Sequence, residues 1–241
     1  MKTLTFWRKK DVEKELKENL HEKRFIFNFL NSHDLYQIQK QPLFVESLST
    51  KENTNLIDGF IISLFLTLKE IKNVQRFTGP KFTEFFLKNK NFNANKKHFF
   101  IGSEKEDLKK LANKFKYLNE KNLFTYNPPY IKNIDFPKEE IKKLIKKINL
   151  KKPDYVWVCI GCPKQNILTY RIFKDTFAKA YFNVGAALDF ILGKKKQAPN
   201  IFRKIGLEWL YRLITDFKYS KEKVWRSFVA LKYLAKGVEL K

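Results

Sequence analysis

The chain reads as an α/β protein with a mainly parallel sheet and helices on both faces, followed by a basic, aromatic helical appendage. Three observations predict this. Short apolar runs alternate with helical stretches of about ten residues, the pattern of a sheet built from strand–helix–strand units. Polar and glycine residues recur where each run ends: Asn31, Asp58, Thr78, Gly102, Asn127, Gln165 and Asn183. In a parallel sheet those ends share one edge, which is where ligands sit. The third observation is a change of character after residue 191, where cations and aromatic residues interleave.

The elements follow in order. Residues 8–24 are charged, with Val12, Leu16 and Leu20 spaced as on an amphipathic helix. Arg24-Phe-Ile-Phe-Asn-Phe29 predicts a buried strand, and Asn31-Ser-His-Asp34 a turn and helix start supplied with capping side chains. A strand ends at Leu56-Ile-Asp-Gly59 and gives way to an apolar helical run reaching Leu68. Val74-Gln-Arg-Phe77 predicts a short strand, after which Thr78-Gly79-Pro80 opens a helix through Leu87. Lys97 to Ile101 predicts a strand running into Gly102-Ser103, with a helix over 104–115. Asn122 to Tyr126 is a strand ending at Asn127-Pro-Pro129, and Pro137 announces a helix over 138–148. Asp154 to Ile160 is the clearest strand of all. A helix from Gln165 leads to a last strand over 180–184. The result is a Rossmann-like architecture.

At 241 residues and 44% hydrophobic, the chain has enough apolar material for a sizeable core. Its net charge of +24 points to a polyanionic partner, namely nucleic acid, an anionic membrane or a phosphate-bearing substrate, or else simply to a Lys-rich solvated surface. Cys159 and Cys162 are the only cysteines. A lone Cys-x-x-Cys with three histidines elsewhere is weak support for zinc or redox chemistry, and the absence of a disulfide framework fits a reducing compartment. Met1 leads into charged residues rather than a signal-peptide core, and the strongly apolar stretch from Phe60 to Leu68 is too short to span a bilayer. The expected setting is cytoplasmic, with any membrane contact peripheral. From residue 191 on, thirteen Lys and Arg stand against four Asp and Glu, a net +9. That segment reads either as a helix packed on the body or as an interfacial helix facing anionic lipid, where each cation near the surface contributes about 1 kcal/mol.

Several residues can carry chemistry. Asp58 precedes an apolar helix; it is a helix cap or a general base, since a carboxylate can take the proton of an attacking hydroxyl. Gln165 both donates and accepts, which suits a sugar or a nucleobase edge. Lys164 can meet a phosphate or simply face solvent, and Arg76 can grip a diphosphate or form a structural ion pair. No Asp-x-Asp, no Gly-x-x-x-x-Gly-Lys-Ser/Thr and no Gly-x-Gly-x-x-Gly occurs. The usual metal–diphosphate clamp, a P-loop and a standard dinucleotide site are therefore not indicated. Cations and helix N-termini would have to replace that clamp.

Two linked segments carry a family resemblance. Val158-Cys-Ile-Gly-Cys-Pro-Lys-Gln165 leads to Asn183-Val-Gly-Ala-Ala-Leu-Asp-Phe190; Lys196-Gln-Ala-Pro199 leads to Gly206-Leu-Glu-Trp-Leu-Tyr-Arg-Leu213. In this order they resemble the WecG/TagA/CpsF glycosyltransferases, glycosyltransferase family 26, which add a sugar, typically N-acetylmannosamine, to a lipid-linked acceptor. The resemblance implies Asp58 as catalytic base and Gly161-Cys-Pro-Lys-Gln165 as a donor-binding loop. Asn31 and backbone groups near Gly102, Gly161 and Gly185 would join it in binding substrate. Arg76, Arg212 and Arg226 would stabilise the diphosphate, with Arg212 counted in the catalytic set. It further implies a catalytic domain over 1–193 and an appendage over 194–241 that meets the membrane and closes over the site. Four positions depart from the pattern: Phe29 stands where Thr is usual, Gln197 where Arg is usual, Ala186 in place of a second glycine, and Cys162 where small residues are common.

The expected function is an inverting, metal-independent transfer of a hexose or N-acetylhexosamine from a UDP-sugar to a polyprenyl-diphosphate-linked saccharide. The product would feed capsule, lipopolysaccharide or teichoic acid linkage units. No cofactor and no nucleic acid is expected; the partners are donor, acceptor and an anionic membrane surface, and a homo-oligomer is compatible with the sequence. Two rival readings are a nucleic-acid-binding protein, driven by the charge and the aromatic–basic interleaving, and an inactive family member serving as a scaffold.

Overall fold

The computed structural model describes residues 7, 9–20, 22–68, 76–195, 198–199, 202, 211, 214–215, 225–226 and 229–230. Six strands form a single sheet: β1 (Phe25–Leu30), β2 (Asn53–Ile57), β3 (His98–Ile101), β4 (Leu123–Tyr126), β5 (Tyr155–Val158) and β6 (Ala180–Asn183). Their order is β2-β1-β6-β5-β3-β4, and every neighbouring pair is parallel. All six carboxyl ends therefore lie on one edge.

The helices divide between the faces. Aromatic side chains dominate one face, where Phe27, Tyr155, Trp157 and Phe182 point from the strands. They pack against α1 (Lys9–Asn19), α5 (Gly79–Lys88), α6 (Lys90–Asn93), α7 (Lys105–Lys114) and α10 (Ala187–Ile191). Phe86 of α5 approaches Phe182 with ring centroids 4.7 Å apart, and Trp157 lies 4.2 Å from Phe182. Aliphatic residues such as Ile26, Val156 and Val158 point to the other face. There they meet α8 (Lys138–Lys151) and α9 (Lys164–Phe173), and beside these α2 (Ser32–Ile38), α3 (Pro42–Leu48) and α4 (Phe60–Leu68). Because both faces are covered, the strands are buried throughout except along β4, which explains their near-continuous apolar sequences.

Local chemistry sets the helix starts. Asn31 caps α2 through its Oδ1, which accepts from the amides of His33 and Asp34, while Asp34 Oδ2 accepts from the Asn31 amide at 2.8 Å. This reciprocal pair is a capping box. Thr78 caps α5, whose first turn carries Pro80. One expectation is corrected. The strand predicted over 74–77 is not formed at its described residues, since Arg76 and Phe77 have no strand pairing. The Phe77 N–H donates to the Ile57 carbonyl at 2.9 Å, and the Phe77 ring is a core plug against Phe82 and Phe85. Helices α3 and α10 also go beyond the sequence expectation.

The two sheet edges differ. At β2 the Trp7 amide donates to the Asn55 carbonyl at 2.8 Å, so chain from the N-terminal side covers part of that edge. At β4, lysines of α8 lie over the edge aromatics: Lys143 and Lys147 over Tyr126, Lys151 over Phe124. A cavity of about 380 Å³ borders this edge, rimmed by Lys105, Lys109, Lys147 and Lys151.

Inside the aromatic layer, Trp157 Nε1 donates to His98 Nδ1 at 3.0 Å, which leaves the ring proton on Nε2. Burial lowers the His98 pKa from 6.5 to about 3, against a smaller raising effect of Asp154. The unfolded chain therefore binds a proton between pH 3 and 6.5 that the folded chain refuses. Stability is expected to be full above pH 6.5 and to fall, as pH drops below it, by about 1.4 kcal/mol per unit from this group. Urea unfolding at pH 7 and pH 5 checks this, with His98→Phe expected to flatten the difference.

Candidate active site

The strand carboxyl ends assemble the site. β3 leads outward to β4, whereas β5 leads the opposite way to β6, so the topological switch point of the sheet lies between the ends of β3 and β5. Gly102 and Gly161 stand on its two sides. Gly102 has φ +86°, and a Cβ there would meet Ile160 Cγ2 at 2.5 Å, so only glycine lets these loops approach. Gly161, at φ +91°, has open space where a Cβ would stand. Gly185 follows β6, and its Cβ would lie 3.5 Å from Gln165 Oε1.

Gln165 is buried, and both ends of its amide are engaged. Nε2 donates to the Asn183 carbonyl at 3.0 Å, and Oε1 accepts from the Gly161 amide at 3.2 Å. The side chain thus fastens the β5 loop to the end of β6, retaining one further donor hydrogen and one lone pair. Behind it runs a buried chain of amides, of which sequence reasoning singled out only Asn183. Asn28, in the middle of β1, donates through Nδ2 to Asn53 Oδ1 at 2.6 Å and Asn55 Oδ1 at 2.9 Å. Its Oδ1 accepts from Asn166 and Asn183, both at 2.7 Å, and Asn183 Oδ1 accepts from the Thr169 hydroxyl at 2.6 Å. The available signal was asparagine inside otherwise apolar strands, Phe25-Ile-Phe-Asn-Phe-Leu30 above all.

Asp58 and Arg76 are brought together. The Asp58 amide donates to the Leu30 carbonyl at 2.9 Å, which holds the residue just beyond β2, and Arg76 Nε donates to the Asp58 carbonyl across 18 residues of sequence. Asn31 stands beside them, since a Cβ on Gly59 would come within 3.0 Å of Asn31 Cα. Because Asn31 Oδ1 serves as the helix cap, its Nδ2 is the group left to address a ligand. Lys164 opens α9; its ammonium donates to the Ile131 carbonyl and lies 5.1 Å from the centre of the exposed Tyr130 ring. Arg226 lies over the Tyr36 ring of α2 at 5.4 Å, and Ala230 is buried in the cluster formed by α2, α3 and α4. Those residues of the C-terminal segment therefore pack on the α2 side of the body. Lys194 closes on Asp107 at 2.6 Å and Lys195 on Asp189 at 2.8 Å, fixing the chain as it leaves α10. Arg212 and Gln197 lie outside the described residues.

Phe29 departs from the family pattern, and its ring lies in the core, 5.1 Å from Phe82. Burial pushes the Cys159 thiol up to about 12 and that of Cys162 well above its ordinary value, the latter aided by Asp34. Both are therefore protonated at neutral pH and poor nucleophiles or metal ligands. Among the described residues no three His, Cys, Asp or Glu side chains gather as a metal site. Asn28→Leu strands the partner amides of three elements, so it is expected to lower unfolding free energy by at least about 3 kcal/mol. Chemical denaturation of the variant measures this.

Comparison with known proteins places the chain. It matches the family described as "Glycosyl transferase WecG/TagA/CpsF family" over residues 5–236. It is also similar to an N-acetylglucosaminyldiphosphoundecaprenol N-acetyl-beta-D-mannosaminyltransferase of Staphylococcus aureus strain MRSA252. The two are 42% identical over 81 residues, which is 33% of this chain and 31% of that protein. The counterpart in strain NCTC 8325 / PS 47 is 43% identical over 82 residues, with the same shares. The chain thus spans about a third of the length of these curated relatives in the matched stretch. The family match covers nearly all of the sequence, and the ends of β5 and β6 carry the first of the quoted segments at one edge of the parallel sheet. The chain belongs to the WecG/TagA/CpsF family of glycosyl transferases.

Proposed function

We propose that the protein transfers a hexose or N-acetylhexosamine, N-acetylmannosamine-like, from a UDP-sugar to a polyprenyl-diphosphate-linked saccharide, with inversion and without a metal. The observation that carries this reading is the pairing of Asp58 with Arg76 at the strand carboxyl ends. It puts a carboxylate-bearing residue and a guanidinium side by side in a chain of this family. The relatives' name specifies an N-acetylglucosaminyl-diphosphoundecaprenol acceptor and an N-acetyl-beta-D-mannosaminyl group, and we extend that substrate class to this chain.

In this mechanism an acceptor hydroxyl attacks the anomeric carbon as Asp58 takes its proton. The bond from that carbon to the diphosphate oxygen breaks on the opposite face, and UDP departs with the electron pair. One displacement inverts the anomeric configuration. Negative charge grows on the leaving diphosphate, and cations aimed at it lower the barrier. Arg76, Lys164, Arg212 and Arg226 are the candidates, in place of the metal clamp that an Asp-x-Asp motif would hold. Asn31, Gln165 and backbone groups near Gly102, Gly161 and Gly185 would hold the sugars and the nucleotide. The enzyme would work at the inner face of the cell membrane as a peripheral protein, with residues 194–241 as its closing appendage. No helix among the described residues is long and apolar enough to cross a membrane.

UDP release is the assay, with a polyprenyl-diphosphate N-acetylglucosamine acceptor, a panel of UDP-sugars and EDTA present. Acceptor-dependent turnover of one donor is expected. Asp58→Asn is expected to lower kcat by about 10²- to 10⁴-fold with little change in KM, the loss typical of a missing general base. Arg76→Lys keeps the charge but not the planar fork, and should lower kcat/KM by about tenfold or more. Turnover that survives Asp58→Asn would remove Asp58 from the role of base, and turnover that requires added metal would overturn the metal-free reading.

A further inference from the structure

Helix α4 has a composition unlike the rest of the chain. Phe60–Leu68 holds no Lys, Arg, Asp or Glu, although 31% of the chain is charged. Only part of this apolarity serves the core. Ile62 and Leu66 are buried in the cluster with Leu30, Ile57 and Ile167. On the outer side Leu64 is 46% exposed and Leu68 is 73% exposed, with Ile61 half-buried beside them, while Phe65 packs against the core cluster. Positions 61, 64 and 68 form one stripe at helical spacing. At 1.5 Å per residue the helix runs for about 13 Å. A surface helix of a Lys-rich protein ordinarily places charges on such a stripe. Thr67 is exposed, and its hydroxyl donates to the Ser63 carbonyl at 2.9 Å. That back-bonding lets a hydroxyl face an apolar medium without an unmet donor.

The stripe begins beside the reacting groups. Phe60 is two residues beyond Asp58, and the α4 N-terminus stands where Gly59 packs on Asn31. We propose that the outer face of α4 seats the first isoprene units of the acceptor's polyprenyl tail, leading the chain away from an acceptor whose attacking hydroxyl lies at Asp58. This rests on the acceptor class proposed above. The occupant is an apolar, flexible chain that must start at the site, and the only requirement on its seat is continuous apolar surface running from there. Burying the two exposed leucines against such a tail contributes affinity for the tail alone, since the saccharide and diphosphate do not touch them. It therefore acts on acceptor recognition and leaves the chemical step untouched.

The experiment pairs two acceptors with the same saccharide diphosphate, one on a long isoprenoid tail in detergent and one on a short water-soluble alkyl group. Wild type is compared with Leu64→Ser/Leu68→Ser, and with Leu64→Met/Leu68→Met as the conservative control. The expected result is about a tenfold rise in KM for the long-tail acceptor only in the Ser variant, with kcat and the short-acceptor KM unchanged. Equal effects on both acceptors, or none on the long one, would overturn the proposal. So would an equal loss of binding to acceptor-free phosphatidylglycerol vesicles, because the face would then be a general membrane contact. Should wild type turn over neither acceptor, the glycosyl-transfer reading fails by itself. Binding of a fluorescent polyprenyl monophosphate then decides the seat: weaker binding by the Ser variant supports it, and equal binding overturns it.

Discussion

The saturated carboxamide of Asn28 is the interaction on which the site's geometry depends. Its two hydrogens and two lone pairs are all used, on Asn53, Asn55, Asn166 and Asn183. From there the chain of bonds passes along Asn183 to Gln165 and reaches the Gly161 amide in the loop after β5. Three strands, one helix and one glycine loop are thereby referred to a single buried group. Hydrogen bonds in such a network strengthen one another, and a half-satisfied one is costly. A shift of β1 by one residue would turn Asn28 into the aromatic layer and Phe27 toward the amides, so the network also fixes strand register.

Stability and site geometry are divided between the two faces of the sheet. The aromatic face supplies most of the large buried side chains, among them Trp157, Phe82, Phe86 and Phe182. The aliphatic face carries the amide network and the helices that begin at the site, α2 and α9. Arg76 and Phe77 connect the two roles. The Phe77 ring is locked among Phe82 and Phe85, and the adjacent guanidinium reaches Asp58 from that fixed base.

Much of this was legible in the sequence. Buried parallel strands are near-continuous apolar runs, and the capping residues Asn31 and Thr78 stand where their types predict. Placing Asp58, Gly102, Gly161 and Gln165 on one edge needed only the strand positions and the parallel order. What stayed hidden depends on contacts between distant residues. Val74-Gln-Arg-Phe77 has strand-like apolarity, but Phe77 lies outside any strand and its ring fills the core. The double engagement of Gln165 involves two backbone groups that have no sequence signature. The Arg226–Tyr36 contact joins opposite ends of the chain, which local pattern does not encode.

The lysines along the open edge of β4 would also oppose edge-to-edge contact between copies of the protein. An unpaired strand edge is a template for another strand, and two such edges approaching here would bring rows of ammonium groups face to face. The resulting barrier is colloidal: it holds at low ionic strength and shrinks as the Debye length falls from about 10 Å at 0.1 M salt to about 3 Å at 1 M. Solubility should therefore decline as salt rises, the reverse of ordinary salting-in, and purification buffers of low ionic strength are the ones that suit this molecule.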